Sequence, residues 1–172
     1  KQWRGKAILH VDINSFYSSC EEIKNLSLKG KPNAFIMTPQ DSNNITKDAV
    51  TTSSYEAKKF GIKSAMPLYK ALELCPNLIL HAVDKKFYEK ISNEVMEILE
   101  DYADIFEQAS IDEAYLDCTN KISTTDLMVD EYAQEIKKSI KEKCGGLLTS
   151  IGIAPTKSVA KISASPPAFA VM

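Results

Sequence analysis

Asp12 closes a short apolar run at residues 7–11 (AILHV), and the acidic pair Asp112-Glu113 opens another at residues 114–118 (AYLDC). Runs of this kind, bounded by polar residues, read as short buried strands. If the two strands lie side by side and antiparallel, the end of the first meets the start of the second. Three carboxylates then converge. An all-oxygen cluster suits Mg²⁺, which takes one or two carboxylates plus substrate phosphates, whereas softer metals want thiolate or imidazole. Two such ions about 4 Å apart clamp the attacking and leaving oxygens of a phosphoryl displacement. Like charges gathered this closely repel one another unless a cation offsets them. Acidic residues are also common in turns, so spacing alone leaves open a reading of Asp12 and Glu113 as loop acids and Asp112 as a turn residue.

The surrounding pattern supplies elements that position these groups. After Asp12, the row Phe16, Cys20, Ile23 has helical spacing, with Asn14 or Ser15 available as N-cap. Residues 33–38 read as a strand, 38–47 (TPQDSNNITK) as an exposed loop, 54–60 and 68–74 as short helices, and 78–82 as a strand. Phe87, Ile91, Val95, Leu99 and Tyr102 predict an amphipathic helix over 86–103. Two strands, 105–109 and 114–118, flank a hairpin turn at Ser110-Ile111-Asp112-Glu113. Met128, Tyr132, Ile136 and Ile140 mark another helix, stopped by Gly145-Gly146. A last strand at 147–153 and a short helix at 156–162 follow. With the piece between Lys24 and Asp84 set aside, the order is the β-α-β-β-α-β of ferredoxin-like α+β folds. In that topology the first and third strands are the inner pair, which brings Asp12 to Asp112 and Glu113.

Composition bounds the rest. The 172 residues are 44% hydrophobic, 26% charged and 8% aromatic, an ordinary globular balance that excludes a disordered, collagen-like or membrane-bundle chain. The net charge of −2 argues against holding nucleic acid by bulk charge alone. Cys20, Cys75, Cys118 and Cys144 form no C-x-x-C pair, and His10 and His81 are too few for a histidine metal cluster, so the thiols read as buried hydrophobes in a reducing compartment. No apolar run reaches the ~7–15 residues of a signal peptide or the ~20 of a membrane span. A cytoplasmic protein with no membrane contact is expected.

Four segments carry a resemblance. Val11-Asp12-Ile13-Asn14-Ser15-Phe16-Tyr17 with Glu21-Glu22; Thr52-Ser53-Ser54-Tyr55-Glu56-Ala57-Lys58-Lys59-Phe60-Gly61-Ile62-Lys63 with Met66-Pro67; Ser110-Ile111-Asp112-Glu113-Ala114-Tyr115-Leu116-Asp117; and Ser150-Ile151-Gly152-Ile153-Ala154-Pro155-Thr156-Lys157 with Ala160-Lys161-Ile162 occur in this order along the chain. Together they resemble the Y-family (translesion, DNA polymerase IV type) DNA polymerases. The resemblance implies a ferredoxin-like palm at residues 1–23 and 85–165, small fingers inserted at 24–84, and an irregular tail at 166–172. Family members continue into a thumb and a basic little finger, which this stretch lacks.

The same resemblance implies roles. Asp12 and Asp112 are the ligands shared by two Mg²⁺ ions, with Glu113 completing the catalytic site and the backbone carbonyl of Ile13 on the nucleotide-side metal. Tyr17 falls at the steric gate that excludes ribonucleotides, Phe16 lines the same pocket, and Thr52, Tyr55 and Lys58 contact the dNTP triphosphate. Phe16 also lies on the apolar row with Cys20 and Ile23, so core packing competes with pocket lining; Tyr17 is about 100° of helix off that row. Lys63, Lys70 and Lys85-Lys86 read as surface charge. The position of Lys58 is commonly Arg in the family, and Lys offers a point charge without a bidentate fork. After Lys161 the family continues to a Lys-Pro-x-Gly motif, absent from Ser163-Ala164-Ser165-Pro166-Pro167-Ala168-Phe169-Ala170-Val171-Met172.

The implied activity is low-fidelity DNA-directed DNA synthesis, adding dNTPs to a primer 3′-OH on primer-template DNA, in a nucleoid-associated cytoplasmic setting. A sliding clamp is the expected partner through regions beyond this stretch. The stretch alone is expected to be weakly active or inactive. Two other readings compete: another two-metal palm enzyme such as a nucleotide cyclase, whose hairpin signature G-G-D-E-F differs from Ser110-Ile111-Asp112-Glu113, and a non-catalytic binding fragment.

Overall fold

The computed structural model describes residues 5–37 and 47–164. The N-terminal residues 1–4, most of the expected loop at 38–47 and the expected tail at 166–172 lie outside the described residues. Two compact units are present, one formed by Lys1–Asn14 with Glu89–Met172 and the other by Ser15–Tyr88. This division sets the first helix with the inserted segment, where the sequence reading has it in the palm.

The first unit is a four-stranded sheet with helices. Its strands are β1 (Ile8–Ile13), β5 (Ile105–Gln108), β6 (Glu113–Asp117) and β7 (Thr149–Ala154), in the spatial order β5-β6-β1-β7. Every neighbouring pair is antiparallel. β1 and β6 are the inner strands, as the ferredoxin-like order predicts. The position of β1 follows from its composition: flanked on both sides, all but Asp12 of its residues are buried. By contrast, β5 is an edge strand and largely exposed. Alternate residues Leu9, Val11, Leu116 and Ile151 are fully buried on one sheet face.

Helices α4 (Lys85–Tyr102, whose residues from Glu89 on belong to this unit) and α6 (Val129–Lys143) supply the crossovers. α6 carries Asp130 and Glu131 in its first turn and Lys141 and Lys143 in its last, which complements the helix dipole. It stops where Gly145 and Gly146 take positive φ and the Gly146 amide returns to the Lys141 carbonyl. A short helix not foreseen from periodicity, α5 (Thr119–Ser123), follows β6; Thr119 Oγ1 donates to Asp117 Oδ1 at 2.6 Å to start it. Helix α7 (Lys157–Ala164) packs on β7 and β1, where Ala160 joins Ile8, Ala154 and Tyr115 in a small apolar cluster.

The second unit holds a three-stranded sheet in the order β3-β2-β4, with β2 (Asn33–Ile36) parallel to β4 (Ile79–Ala82) and antiparallel to β3 (Thr52–Ser53). β3 is only two residues long, below what periodicity reveals. The helices α1 (Phe16–Lys24), α2 (Tyr55–Lys59) and α3 (Leu68–Leu74) accompany the sheet. Ala34, Val50, Ala57, Ile62, Ala71, Cys75 and Leu78 form its core. Ser15 does occupy the N-cap position of α1, yet its side chain makes no cap bond. Its backbone is left-handed at φ 44, a sparsely populated conformation for a residue with a Cβ, in place of the extended backbone of a bonding N-cap. Ser54 does cap α2, accepting from the Ala57 amide at 3.2 Å.

All four cysteines are buried and free. Burial pushes the Cys20 and Cys118 thiols up to about 12, so both are inert side chains of the interior. Among the described residues, no helix is long and apolar enough to cross a membrane.

Candidate active site

Register brings the acidic residues together. In the β1–β6 ladder Asp12 stands opposite Glu113, Val11 opposite Ala114 and His10 opposite Tyr115. Glu113 is therefore the first residue of β6, where the sequence reading has it in the turn. Asp112 is tied to the same place by backbone: the Ile13 amide donates to the Asp112 carbonyl at 2.9 Å. The turn is pinned from three further directions. The amides of Ala109 and Ser110 both donate to the Glu113 carbonyl, at 2.9 and 3.1 Å. Ser110 Oγ lies 2.9 Å from Asp112 Oδ1 and 3.4 Å from Glu113 Oε2. From α4, the buried Ser92 hydroxyl donates to the Ile111 carbonyl at 2.5 Å.

The electrostatics record the crowding. Burial pushes the Asp12 carboxyl up to about 6, and the charges of Asp112 and Glu113 add to the rise while Lys161 opposes it. Lys161 Nζ is 3.8 Å from Glu113 Oε1. His10 Nε2 is 3.4 Å from the same oxygen, and burial lowers the His10 pKa against the opposing charge of Glu113. The donor set of three carboxylates with nearby backbone carbonyls is the chemistry of a hard divalent cation. Among the described residues, no group of three or more His, Cys, Asp or Glu side chains is drawn together tightly enough to hold a metal ion as it stands. The ligand types and their shared strand end fit such an ion, and the side chains must still converge on it.

The remaining singled-out residues lie in the second unit. Phe16 is buried, whereas Tyr17 is half-buried among rings. The Tyr17 ring stacks on Tyr88 with centroids 4.5 Å apart and meets Phe35 edge-on at 5.8 Å. Phe16 packs edge-on against Tyr88 at 6.3 Å. Tyr88 is fully buried, and its hydroxyl donates to Glu21 Oε1 at 2.7 Å. Lys24 lies 3.6 Å from Glu21 and 2.8 Å from Asp84, completing the anchor. Thr52 stands directly opposite Phe35 across β3 and β2, the residue whose ring meets Tyr17 edge-on.

Tyr55 and Lys58 are exposed on α2. Lys59 Nζ, the i, i+4 partner, sits 4.6 Å over the Tyr55 ring.

Sequence reasoning overlooked His10, Ser92, Ser110, Tyr88 and Glu21 as parts of these assemblies. Ser110 and Glu21 lay inside quoted motifs without a role. Tyr88 was hidden because Phe87 took its place on the predicted stripe of α4; Tyr88 is the more deeply buried of the two. Nothing local distinguishes Ser92 from any helical serine.

Residues 11–165 match the model of the impB/mucB/samB family. The chain belongs to this family. It is similar to DNA polymerase IV of Sulfurisphaera tokodaii, 41% identical over 157 residues, which cover 91% of this chain and 44% of that protein. DNA polymerase IV 1 of Halalkalibacterium halodurans is 41% identical over 160 residues, covering 93% of this chain and 37% of the relative. Among solved structures, an insertion ternary complex of Dbh DNA polymerase superposes with a TM-score of 0.83 at 40% identity, over 92% of this chain and 45% of that one. DinB from Sulfolobus solfataricus does so with the same score and identity. The chain thus spans less than half the length of the relatives it matches.

Proposed function

We propose that the chain is the palm-and-fingers portion of a translesion DNA-directed DNA polymerase. The observation that carries the reading is the β1–β6 register, which pairs Asp12 with Glu113 and bonds Asp112 beside them. That the relatives are DNA polymerases IV, and that an insertion ternary complex of Dbh DNA polymerase shares the fold, supports it. The substrates are a dNTP and primer-template DNA, and the setting is the nucleoid in the cytoplasm.

The first unit corresponds to the palm and the second to the fingers. Asp12, Asp112, Glu113 and the carbonyl of Ile13 would hold two Mg²⁺ ions, which when bound supply charge neutralisation at the reacting phosphate. In the reaction the primer 3′-oxygen forms a bond to the α-phosphorus as the bond to pyrophosphate breaks. The chain's own residues contribute placement, and in-line alignment with charge compensation supplies most of the rate. Tyr17 acts as the sugar gate: a ring fixed by stacking leaves no room for a 2′-hydroxyl. Thr52, Tyr55 and Lys58 contact the triphosphate. Phe16, packed edge-on against Tyr88, lines the same pocket. A sliding clamp engages regions of the whole protein outside this stretch, and the stretch alone has little polymerase activity.

Titration of a fluorescent dNTP into the chain, with and without Mg²⁺, tests the reading. Mg²⁺-dependent binding lost in Asp112→Ala is expected. Binding indifferent to both Mg²⁺ and Asp112 would remove the assignment.

A further inference from the structure

We propose that His10 is a positioning residue for Glu113, orienting through its Nε2–H the carboxylate that the metal centre uses; this rests on the metal-ion reading of the three acids. The pleat of β1 puts His10 and Asp12 on one sheet face, and the β6 partners opposite them are Tyr115 and Glu113. Glu113 is therefore the diagonal neighbour of His10, within reach of a long side chain. Nε2 stands 3.4 Å from Glu113 Oε1, with the imidazole side chain only 2% exposed. Its ring tilts at 53° against Tyr115, centroids 5.0 Å apart, which limits how it can turn.

The two oxygens of Glu113 thus face different donors. Oε2 is near Ser110 Oγ at 3.4 Å, and Oε1 is near His10 and, at 3.8 Å, Lys161. Lys161 is 57% exposed and shares its charge with water, whereas the imidazole is shielded. Neither ring nitrogen of His10 makes a hydrogen bond of good geometry among the described residues. A buried polar group in that condition is destabilising. The other fully buried positions of β1 are Leu9, Val11 and Ile13, and a leucine or phenylalanine at position 10 would avoid that penalty. The polar ring stands where only Glu113, of the acidic trio, lies within ion-pair distance of it. A small rotation of either side chain closes the 3.4 Å gap into a hydrogen bond and fixes which oxygen faces Asp12 and Asp112.

The test is Mn²⁺ titration of the intact chain by electron paramagnetic resonance, for wild type, D112A, H10F and H10Q, with melting temperatures alongside. H10F keeps a ring without a donor, whereas H10Q returns an N–H near the Nε2 position. The expected result is about 10-fold weaker Mn²⁺ binding in H10F, as for other groups that orient a metal ligand, with H10Q within about twofold of wild type and H10F melting no lower than wild type. Wild-type affinity in H10F, or H10Q as weak as H10F, would overturn the positioning role. His10→Leu, a second donor-free replacement, decides the matter if H10F fails to fold. Mn²⁺ binding absent in wild type or unchanged in D112A would instead overturn the metal reading, and the positioning role with it.

Discussion

The two units assemble their candidate site residues by opposite means. In the first, Asp12, Asp112 and Glu113 are placed by backbone: a ladder register, an amide of β1 on the Asp112 carbonyl, and a turn closed on the Glu113 carbonyl. In the second, Tyr17 is placed by side chains, with its ring stacked on Tyr88 and met edge-on by Phe35, and Tyr88 anchored in turn by Glu21. The acidic centre is crowded and electrostatically costly, whereas the aromatic nest is close-packed. Substitution of an acid should therefore change chemistry and spare the fold. Loss of a ring in the nest should cost both stability and sugar discrimination.

The largest expected effect tests the nest. Tyr88→Ala removes a fully buried ring and should cost about 3–5 kcal/mol in urea unfolding. Tyr88→Phe, losing only the bond to Glu21, should cost about 1.5–3 kcal/mol. Equal losses in the two variants would mean that the hydroxyl, rather than the stacking, holds the nest.

Next comes the turn. Ser92→Ala strips a donor from the buried Ile111 carbonyl and should cost about 1–3 kcal/mol by thermal or urea melting. A neutral result would show that the turn keeps its shape through Ser110 and the ladder alone.

A smaller effect, of opposite sign, is expected at Asp12. Its pKa rises from an ordinary 3.8 to about 6, so the folded state holds that proton more tightly than the unfolded chain. The associated stability is present below pH about 4 and is lost as pH rises through about 6 in metal-free buffer. Asp12→Asn should accordingly raise stability at pH 7 by about 1 kcal/mol while weakening Mg²⁺-dependent dNTP binding, the usual trade-off at a strained site. A destabilised Asp12→Asn would mean that burial and the neighbouring acids do not disfavour the charged carboxylate.

The smallest change is on the exposed helix α2. Lys58→Arg, which adds a planar fork, should tighten dNTP binding by about twofold in the titration. No change would place Lys58 among the solvated charges.

The contrast also explains what was legible in the sequence. Strand ends, capping residues and turn residues are local signals, so the sheet order, the meeting of Asp12 with the Asp112-Glu113 end of the next inner strand and the stop at Gly145-Gly146 follow from short stretches. α5 and β3 escaped because five and two residues are too few to show a period. The failed cap at Ser15 depends on a positive φ that composition does not reveal. The aromatic nest joins residues from α1, β2 and α4, far apart along the chain, and no local pattern announces such contacts. His10 was counted only as one histidine too few for a metal cluster. Its relation to Glu113 is a diagonal across two strands, visible only once their register is known.

The central claim is that Asp12, Asp112 and Glu113 form a metal-dependent nucleotidyl-transfer centre. Its most direct test joins this chain to the thumb and little finger of a relative and measures Mg²⁺-dependent primer extension. The account predicts extension by the wild-type fusion and a loss of about 10³-fold or more in its Asp112→Ala counterpart, at the upper end of what removing one stabilising group costs. Extension undiminished by Asp112→Ala would contradict it.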